Sequence, residues 1–234
     1  MKNTLVILLA LFISASSFGQ FVGTDYSRNY SDLLNRKKPK EPVDGSPYLF
    51  DTWMDGVVVF NDDEGGKYDQ IKVDLMESQL EVMYMNQEKI LPFRDFKMLK
   101  LNSINLNEKS FFQVGSDFAY NGKILNGMAK VTPIGEHYKV VELYQIRVIP
   151  PNINNKIVGA ANYRKKIVQE KKLFIQKRGK LLRIKNKKQV YKILTSRQKK
   201  LKAYVAENNL NLKKEQDLVQ AVEFYQTLIV KKTK

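Results

Sequence analysis

The chain has 234 residues, no cysteine and one histidine, with 40 Lys and Arg against 24 Asp and Glu, a formal net charge of +16. That length suits one good-sized domain or two small ones. The missing cysteines exclude disulfides, thiol catalysis and the usual structural zinc sites, so the core must hold by burial alone.

The opening MKNTLVILLALFISASSFGQ reads as a secretory signal peptide over residues 1–19. Lys2 supplies the positive start, Thr4 to Ala15 the apolar run, and Ser17 and Gly19 the small residues before a cut ahead of Gln20. A membrane span needs about 20 apolar residues, more than this run offers. Export to the periplasm, the outer-membrane surface or the extracellular medium is therefore expected, with no transmembrane span in the mature chain. Residues 20–45 show no sustained period and end in a Lys/Pro/Glu/Gly cluster, which predicts a mobile segment.

From Ser46 the texture becomes β, and residues 46–185 form the expected β portion of one domain over 46–234. "PYLFDTW" leads into "MDGVVVFN", with Trp53 expected as a core anchor. "NDDEGG" then marks a hairpin turn in preference to a calcium loop, because EF-hand spacing is absent. Ile71, Val73 and Leu75 alternate with polar neighbours, and Leu80, Val82 and Tyr84 do the same. After an "NQEK" turn come "ILPF", "FKMLKLN" and "SFFQVG", and a hairpin is expected across Pro133–Glu136. Short strands with regular turn signals predict an antiparallel meander of six to eight strands, curled into a sandwich or partial barrel.

The next stretch, Arg164 to Lys188, is rich in Lys and Arg. Folded about Arg178-Gly179, it becomes a hairpin in which Ile175 faces Leu182 and Leu173 faces Ile184. Phe174, Gln176, Leu181, Arg183, Lys172 and Lys185 fall on the other side, which is expected to be the outer one. A helical cap over 187–229 follows. Val190, Tyr191 and Leu194 point inward on its first helix, Ser196 is the expected N-cap of the second, and Leu201, Tyr204 and Val205 form that helix's stripe. Leu218, Val219, Val222, Tyr225 and Ile229 form the stripe of the third. The fold class is thus α+β, mainly β: an antiparallel meander, a basic hairpin and a C-terminal helical segment.

Two loose motifs frame this domain. Gly45, Ser46, Pro47, Tyr48, Leu49, Trp53, Gly56 and Val58 make a "GSPYL…W…G.V" opening. Leu201, Tyr204, Asn208, Leu210, Leu212, Asp217, Leu218 and Tyr225 make the tail. In these the chain resembles a group of small exported proteins common in Bacteroidetes-type Gram-negative bacteria. The resemblance implies an exported, β-rich fold with a helical C-terminus, and it brings no catalytic residue with it.

The charge is lopsided. Residues 1–155 carry 17 Lys and Arg against 19 Asp and Glu, whereas residues 156–234 carry 23 against 5. Such asymmetry speaks of partners rather than fold. The residues expected to meet an anionic partner are Lys172, Arg183, Lys185, Lys187, Lys188, Arg197, Lys199, Lys200 and Lys202. Export points that surface at anionic lipid, lipopolysaccharide or acidic glycan rather than nucleic acid. Tyr163, Tyr191 and Tyr204 lie among cations, as in stacking platforms for single strands, but Tyr191 and Tyr204 fall on apolar stripes. The sequence does not set the oligomeric state. No metal or cofactor motif is present: His137 lies in a turn without G-x-S-x-G or H-E-x-x-H around it. The expected function is a non-enzymatic, envelope-associated or secreted binding protein. The alternative is a hydrolase of cell-wall or glycan substrate through carboxylates that the sequence does not identify; pairs such as Asp51/Asp55 or Asp69/Asp74 have the chemistry, but sequence does not set their separation.

Overall fold

A computed structural model describes residues 43–102, 109–151 and 164–230. The expected signal peptide, residues 20–42 of the expected mobile segment, and Tyr163 lie outside them. The protein is mainly β, with an antiparallel-dominated sheet of eleven strands that remains open, followed by three helices among the described residues.

The first strands are β1 (Val43–Asp44), β2 (Met54–Phe60), β3 (Gly65–Asp74), β4 (Gln79–Tyr84) and β5 (Gln87–Pro92). Strands β2 to β5 form successive antiparallel hairpins. The β2–β3 turn is the acidic one: Asp62 Oδ1 accepts from the Glu64 amide, and Asp63 pairs with Lys97. The β4–β5 turn is tighter than expected. Met85 and Asn86 both take positive φ, so β5 begins at Gln87, inside the stretch read as a turn. In β3, Asp69 and Gln70 together stand against Asp55, a bulge that interrupts the simple alternation.

The chain then departs from a plain meander. Strand β6 (Phe96–Asn102) does not continue beyond β5 but pairs with the free side of β2. Flat strands lie about 4.8 Å apart, which would put β5 and β6 about 19 Å from each other. Only Phe93–Asp95 join them, and four Cα steps reach about 15 Å at most. The sheet must therefore curl. The Phe93 amide donates to the Ser78 carbonyl at 2.9 Å, and Asn61 Nδ2 donates to the Arg94 carbonyl at 2.7 Å, fixing the crossing from both sides. Inside the curl lies the first core, which includes Val58, Ile71, Leu80, Val82, Phe96 and Leu99.

Beyond β6 the sheet extends through β7 (Lys109–Val114), β10 (Met128–Ile134), β11 (Tyr138–Ile149) and β12 (Lys165–Lys177). Between β7 and β10, a separate small hairpin is formed by β8 (Ala119–Tyr120) and β9 (Lys123–Ile124). The turn after β10 is Gly135–His137, with Pro133 inside the strand against Lys139. Every residue of β11 is registered with β12, from Tyr138↔Lys177 to Ile149↔Lys166. The Arg178-Gly179 hairpin then leads to β13 (Lys180–Ile184) in the predicted register, Ile175↔Leu182 and Leu173↔Ile184. Both turn residues have positive φ, the geometry that suits a two-residue hairpin turn.

Helices α1 (Lys187–Ile193), α2 (Gln198–Glu207) and α3 (Glu215–Val230) complete the fold. Val190, Leu194, Leu201, Val205, Leu218, Ala221, Val222 and Tyr225 join Ile134, Val140, Leu173, Ile175 and Ile184 in a second core. A third core forms on the other side of the same strands. It contains Val131, Val141, Leu143, Phe174 and Leu181, and the β8–β9 hairpin adds Tyr120, whose ring meets Phe174 edge-on at 5.5 Å. The expectation of a solvent-facing outer side to the basic hairpin is thus corrected. Phe174 and Leu181 are buried like Ile175, because a second layer covers them.

The folded part also starts earlier than Ser46. Strand β1 runs parallel to β12, pairing Val43 with Lys165 and Asp44 with Lys166. The chain then crosses to β3, where the Leu49 amide donates to Val73 and the Leu75 amide to Pro47. Gly45 makes the crossing at φ +100, and a Cβ there would sit 2.3 Å from the Ile167 carbonyl oxygen. Gly45→Ala should therefore cost at least the 1–3 kcal/mol of a strained backbone position, lowering Tm by about 2–4 °C per kcal/mol. Gly179→Ala has open space around it and should cost less. Equal Tm values for the two variants would refute the tight crossing.

Candidate anion-binding surface

The C-terminal cations are positioned by the caps and spacing of short helices. Asn186 caps α1: its side-chain oxygen accepts from the Gln189 amide at 3.2 Å, while Gln189 Oε1 accepts from the Lys185 amide. This reciprocal pairing relates to the capping box. It leaves Lys187 and Lys188 on the exposed first turn. The N-cap of α2 is Arg197, not Ser196. Arg197 is left-handed at φ +69 with no side-chain cap bond, and its carbonyl accepts from the Leu201 amide at 3.1 Å. With Leu201 and Val205 buried, the 100° helical step spreads Lys199, Lys200 and Lys202 over the remaining circumference of α2.

Seven of the nine expected residues are exposed: Lys185, Lys187, Lys188, Arg197, Lys199, Lys200 and Lys202. None of the seven forms an ion pair among the described residues. The Lys202 ammonium lies 5.4 Å from the Tyr191 ring centre. Lys172 and Arg183 differ. Both are half-buried; Lys172 bonds Gln145 Oε1 and lies 3.8 Å from Glu170. Arg183 pairs across the strands with Phe174. Because Leu173, Ile175 and Ile184 face the helices, alternation puts Lys172 and Arg183 on the opposite side of the sheet. The nine residues therefore divide between two faces.

Other singled-out residues take structural posts. Tyr204 stacks flat on Phe224, centroids 3.9 Å apart, at the seam between α2 and α3. His137 is exposed in the β10–β11 turn, and its carbonyl accepts from the Arg178 amide. Trp53 is not in a core cluster as expected. It is half-buried, with the Lys72 ammonium 5.0 Å from its ring and 4.8 Å from that of Tyr48, and Tyr48 donates to Glu81 at 2.9 Å. Burial, opposed by the Tyr48 bond, raises the Glu81 carboxyl above its usual range. Of the carboxylate pairs named above, Asp74 is buried and its Oδ1 accepts from the Met76 and Glu77 amides, while Asp69 is exposed in the bulge. Asp51 lies in the loop before β2 and Asp55 within β2.

A polar cluster that the sequence did not reveal sits at the boundary between the first two cores. Glu215, in the first turn of α3, meets Lys130 Nζ at 3.2 Å and Thr132 Oγ1 at 3.1 Å. Its side chain is only 10% exposed and that of Lys130 22%. Beside them Tyr144 donates to Glu142, and the Lys171 ammonium lies 5.0 Å from the Tyr144 ring. The one visible signal was an acid inside the apolar run "VVELY". Its partners come from β10 and α3, distant in sequence, so no local pattern shows them. Chemically the cluster is a bolt: it fastens the start of α3 to the sheet and satisfies charges that burial would otherwise penalise.

No family model, curated protein or solved structure matches this chain. Among the described residues no helix is long and apolar enough to cross a membrane.

The buried tyrosines supply a test of the packing. Burial, with the neighbouring Tyr225 hydroxyl, pushes Tyr138 up to about 12, and burial with the Glu142 bond pushes Tyr144 up as well. An unfolded tyrosine titrates near 10. The folded chain thus holds these protons above pH 10, when the unfolded chain has released them. Their contribution to stability is complete below pH 10 and declines as pH rises toward 12. Thermal melts from pH 9 to 11.5 should show a falling Tm, with a shallower fall in Tyr138→Phe and Tyr144→Phe. An identical slope in all three proteins would contradict the assignment.

Proposed function

We propose that the protein is a non-enzymatic, exported binding protein that docks on an anionic envelope surface through the cations of residues 185–202. One observation carries this reading. Seven Lys and Arg side chains crowd a short capped-helix segment, exposed and without carboxylate partners among the described residues. Their mutual repulsion is relieved when an anionic surface supplies the counter-charge. Each Lys or Arg close to such a surface gains about 1 kcal/mol, and the gain fades over a Debye length.

The export expected from the leader and the resemblance to small exported proteins support the envelope as the setting. Candidate partners are anionic lipid, lipopolysaccharide or acidic glycan. The hydrolase alternative has less in its favour, since the interior carboxylates Glu142 and Glu215 are engaged by Tyr144, Lys130 and Thr132, Glu81 accepts from Tyr48, and Asp74 caps the Met76 and Glu77 amides.

The test is co-sedimentation with vesicles of phosphatidylglycerol and phosphatidylcholine. The variant Lys187→Gln, Lys188→Gln, Lys199→Gln, Lys200→Gln should bind about 1,000-fold more weakly, at about 1 kcal/mol per lysine. Raising salt from about 0.1 M to 1 M, which shortens the Debye length from about 10 to 3 Å, should have a similar effect. Equal binding to pure phosphatidylcholine, or binding indifferent to salt, would overturn the proposal.

A further inference from the structure

Within the helical surface, several of the exposed cations fall on one line. Lys187 and Lys188 of α1 precede Tyr191 by four and three residues, so all three share one side of that helix, a turn apart. The Lys202 ammonium of α2 lies 5.4 Å from the Tyr191 ring centre, which carries the line across to the second helix. Lys199, three residues before Lys202, continues it by another turn. Gln198 Nε2 donates to the Tyr191 carbonyl at 3.1 Å and holds the two helices at this crossing. With one turn on each helix and the ammonium–ring contact between them, the line is about 15 Å long. Its four lysines are exposed.

The surroundings of the line select among anionic partners. No large apolar side chain is exposed on α1 or α2, so this surface has nothing to sink into the acyl layer of a bilayer. Around α2, two helical steps set Lys200 about 160° from Lys202, so a flat surface that meets one is turned away from the other. Single-stranded nucleic acid needs free aromatic rings on which its bases can stack. Here the Lys202 ammonium sits against the Tyr191 ring, and the Tyr204 ring lies flat on Phe224. A linear chain with a negative charge on each unit needs neither an apolar layer nor a ring. It needs cations in sequence along a path.

We infer that the partner of this surface is a linear acidic glycan of the uronate type, lying along Lys188, Lys202 and Lys199. The inference rests on the function proposed above and names the partner for it. Each further uronate that reaches the line binds as part of the same molecule. Affinity therefore comes from repetition along the chain, not from one strong contact.

The experiment titrates the full chain with polygalacturonate, monomeric galacturonate, neutral dextran and single-stranded oligothymidylate at one salt concentration. The titrations are then repeated with the protein already bound to vesicles of phosphatidylglycerol and phosphatidylcholine. Polygalacturonate should bind at about a hundredfold lower uronate concentration than the monomer and should release the protein from the vesicles. Dextran should do neither. The variant Lys188→Gln, Lys202→Gln should bind polygalacturonate about 25-fold more weakly, about fivefold for each lysine. The variant Lys192→Gln, Lys213→Gln removes the same charge from exposed positions off the line and should weaken binding far less. Vesicle binding that polygalacturonate does not reverse would overturn the inference and leave the proposed function standing. Equal losses in the two double variants would also overturn it, as would tighter binding of oligothymidylate per charge. Binding to none of the anionic probes would defeat both readings.

Discussion

The pairing of β11 with β12 is the constraint on which the rest of the molecule depends. Its register is continuous over the whole of β11, and the successive side chains point to alternate faces. Tyr138, Val140, Leu173 and Ile175 therefore enter the helix-covered core, and Val141, Leu143 and Phe174 enter the hairpin-covered one. Farther along, Tyr144 reaches the core inside the curl. A slip of one residue would exchange both apolar sets at once, so burial on the two faces jointly fixes the register.

Burial on both faces also explains where the charge can go. A strand covered on one side leaves every second residue to solvent, but β12 is covered on both sides near Phe174 and Ile175. Its cations therefore fall outside that doubly covered stretch, at Lys165, Lys166, Lys171, Lys172 and Lys177. Lys177 shows how they are accommodated: its ammonium donates to the Ile193 carbonyl at 3.1 Å, covering an end of α1, and lies 5.8 Å from the Tyr138 ring. The helices following β13 have only one side to bury, so Lys187, Lys188, Lys199, Lys200 and Lys202 on them are exposed. The charge run in the sequence thus becomes two populations: cations used to finish packing, and cations left for a partner.

The junction between the cores is held by the opposite solution, a small set of polar groups taken inside. Lys130 and Glu215 join β10 to α3, and Glu142 and Tyr144 occupy the adjoining row of β11. Removing one member would leave a partner charged and desolvated, so the cluster gives the helical layer one seat on the sheet instead of many near-equivalent apolar ones. Gly45 and Gln169 do similar work at the other end. Gln169 Nε2 donates to the Tyr48 carbonyl at 3.0 Å, tying the crossing segment to β12. The "GSPYL" motif is thus a strap between β12 and β3.

By itself the sequence determined the features that depend on near neighbours. The Arg178-Gly179 hairpin was legible because a two-residue turn sets its register locally, and α3 because Leu218, Val222 and Tyr225 recur at helical spacing. The acidic β2–β3 turn was legible for the same reason. Tertiary structure alone decided the strand order, the curl forced by the three-residue link from β5 to β6, and the Glu142–Glu215 neighbourhood. It also decided that Phe174 and Leu181 lie inside and that Lys172 and Arg183 stand apart from the helical lysines. Alternation tells which residues share a face, but not what covers that face. Coverage comes from elements distant in the chain, here the β8–β9 hairpin on one side and three helices on the other.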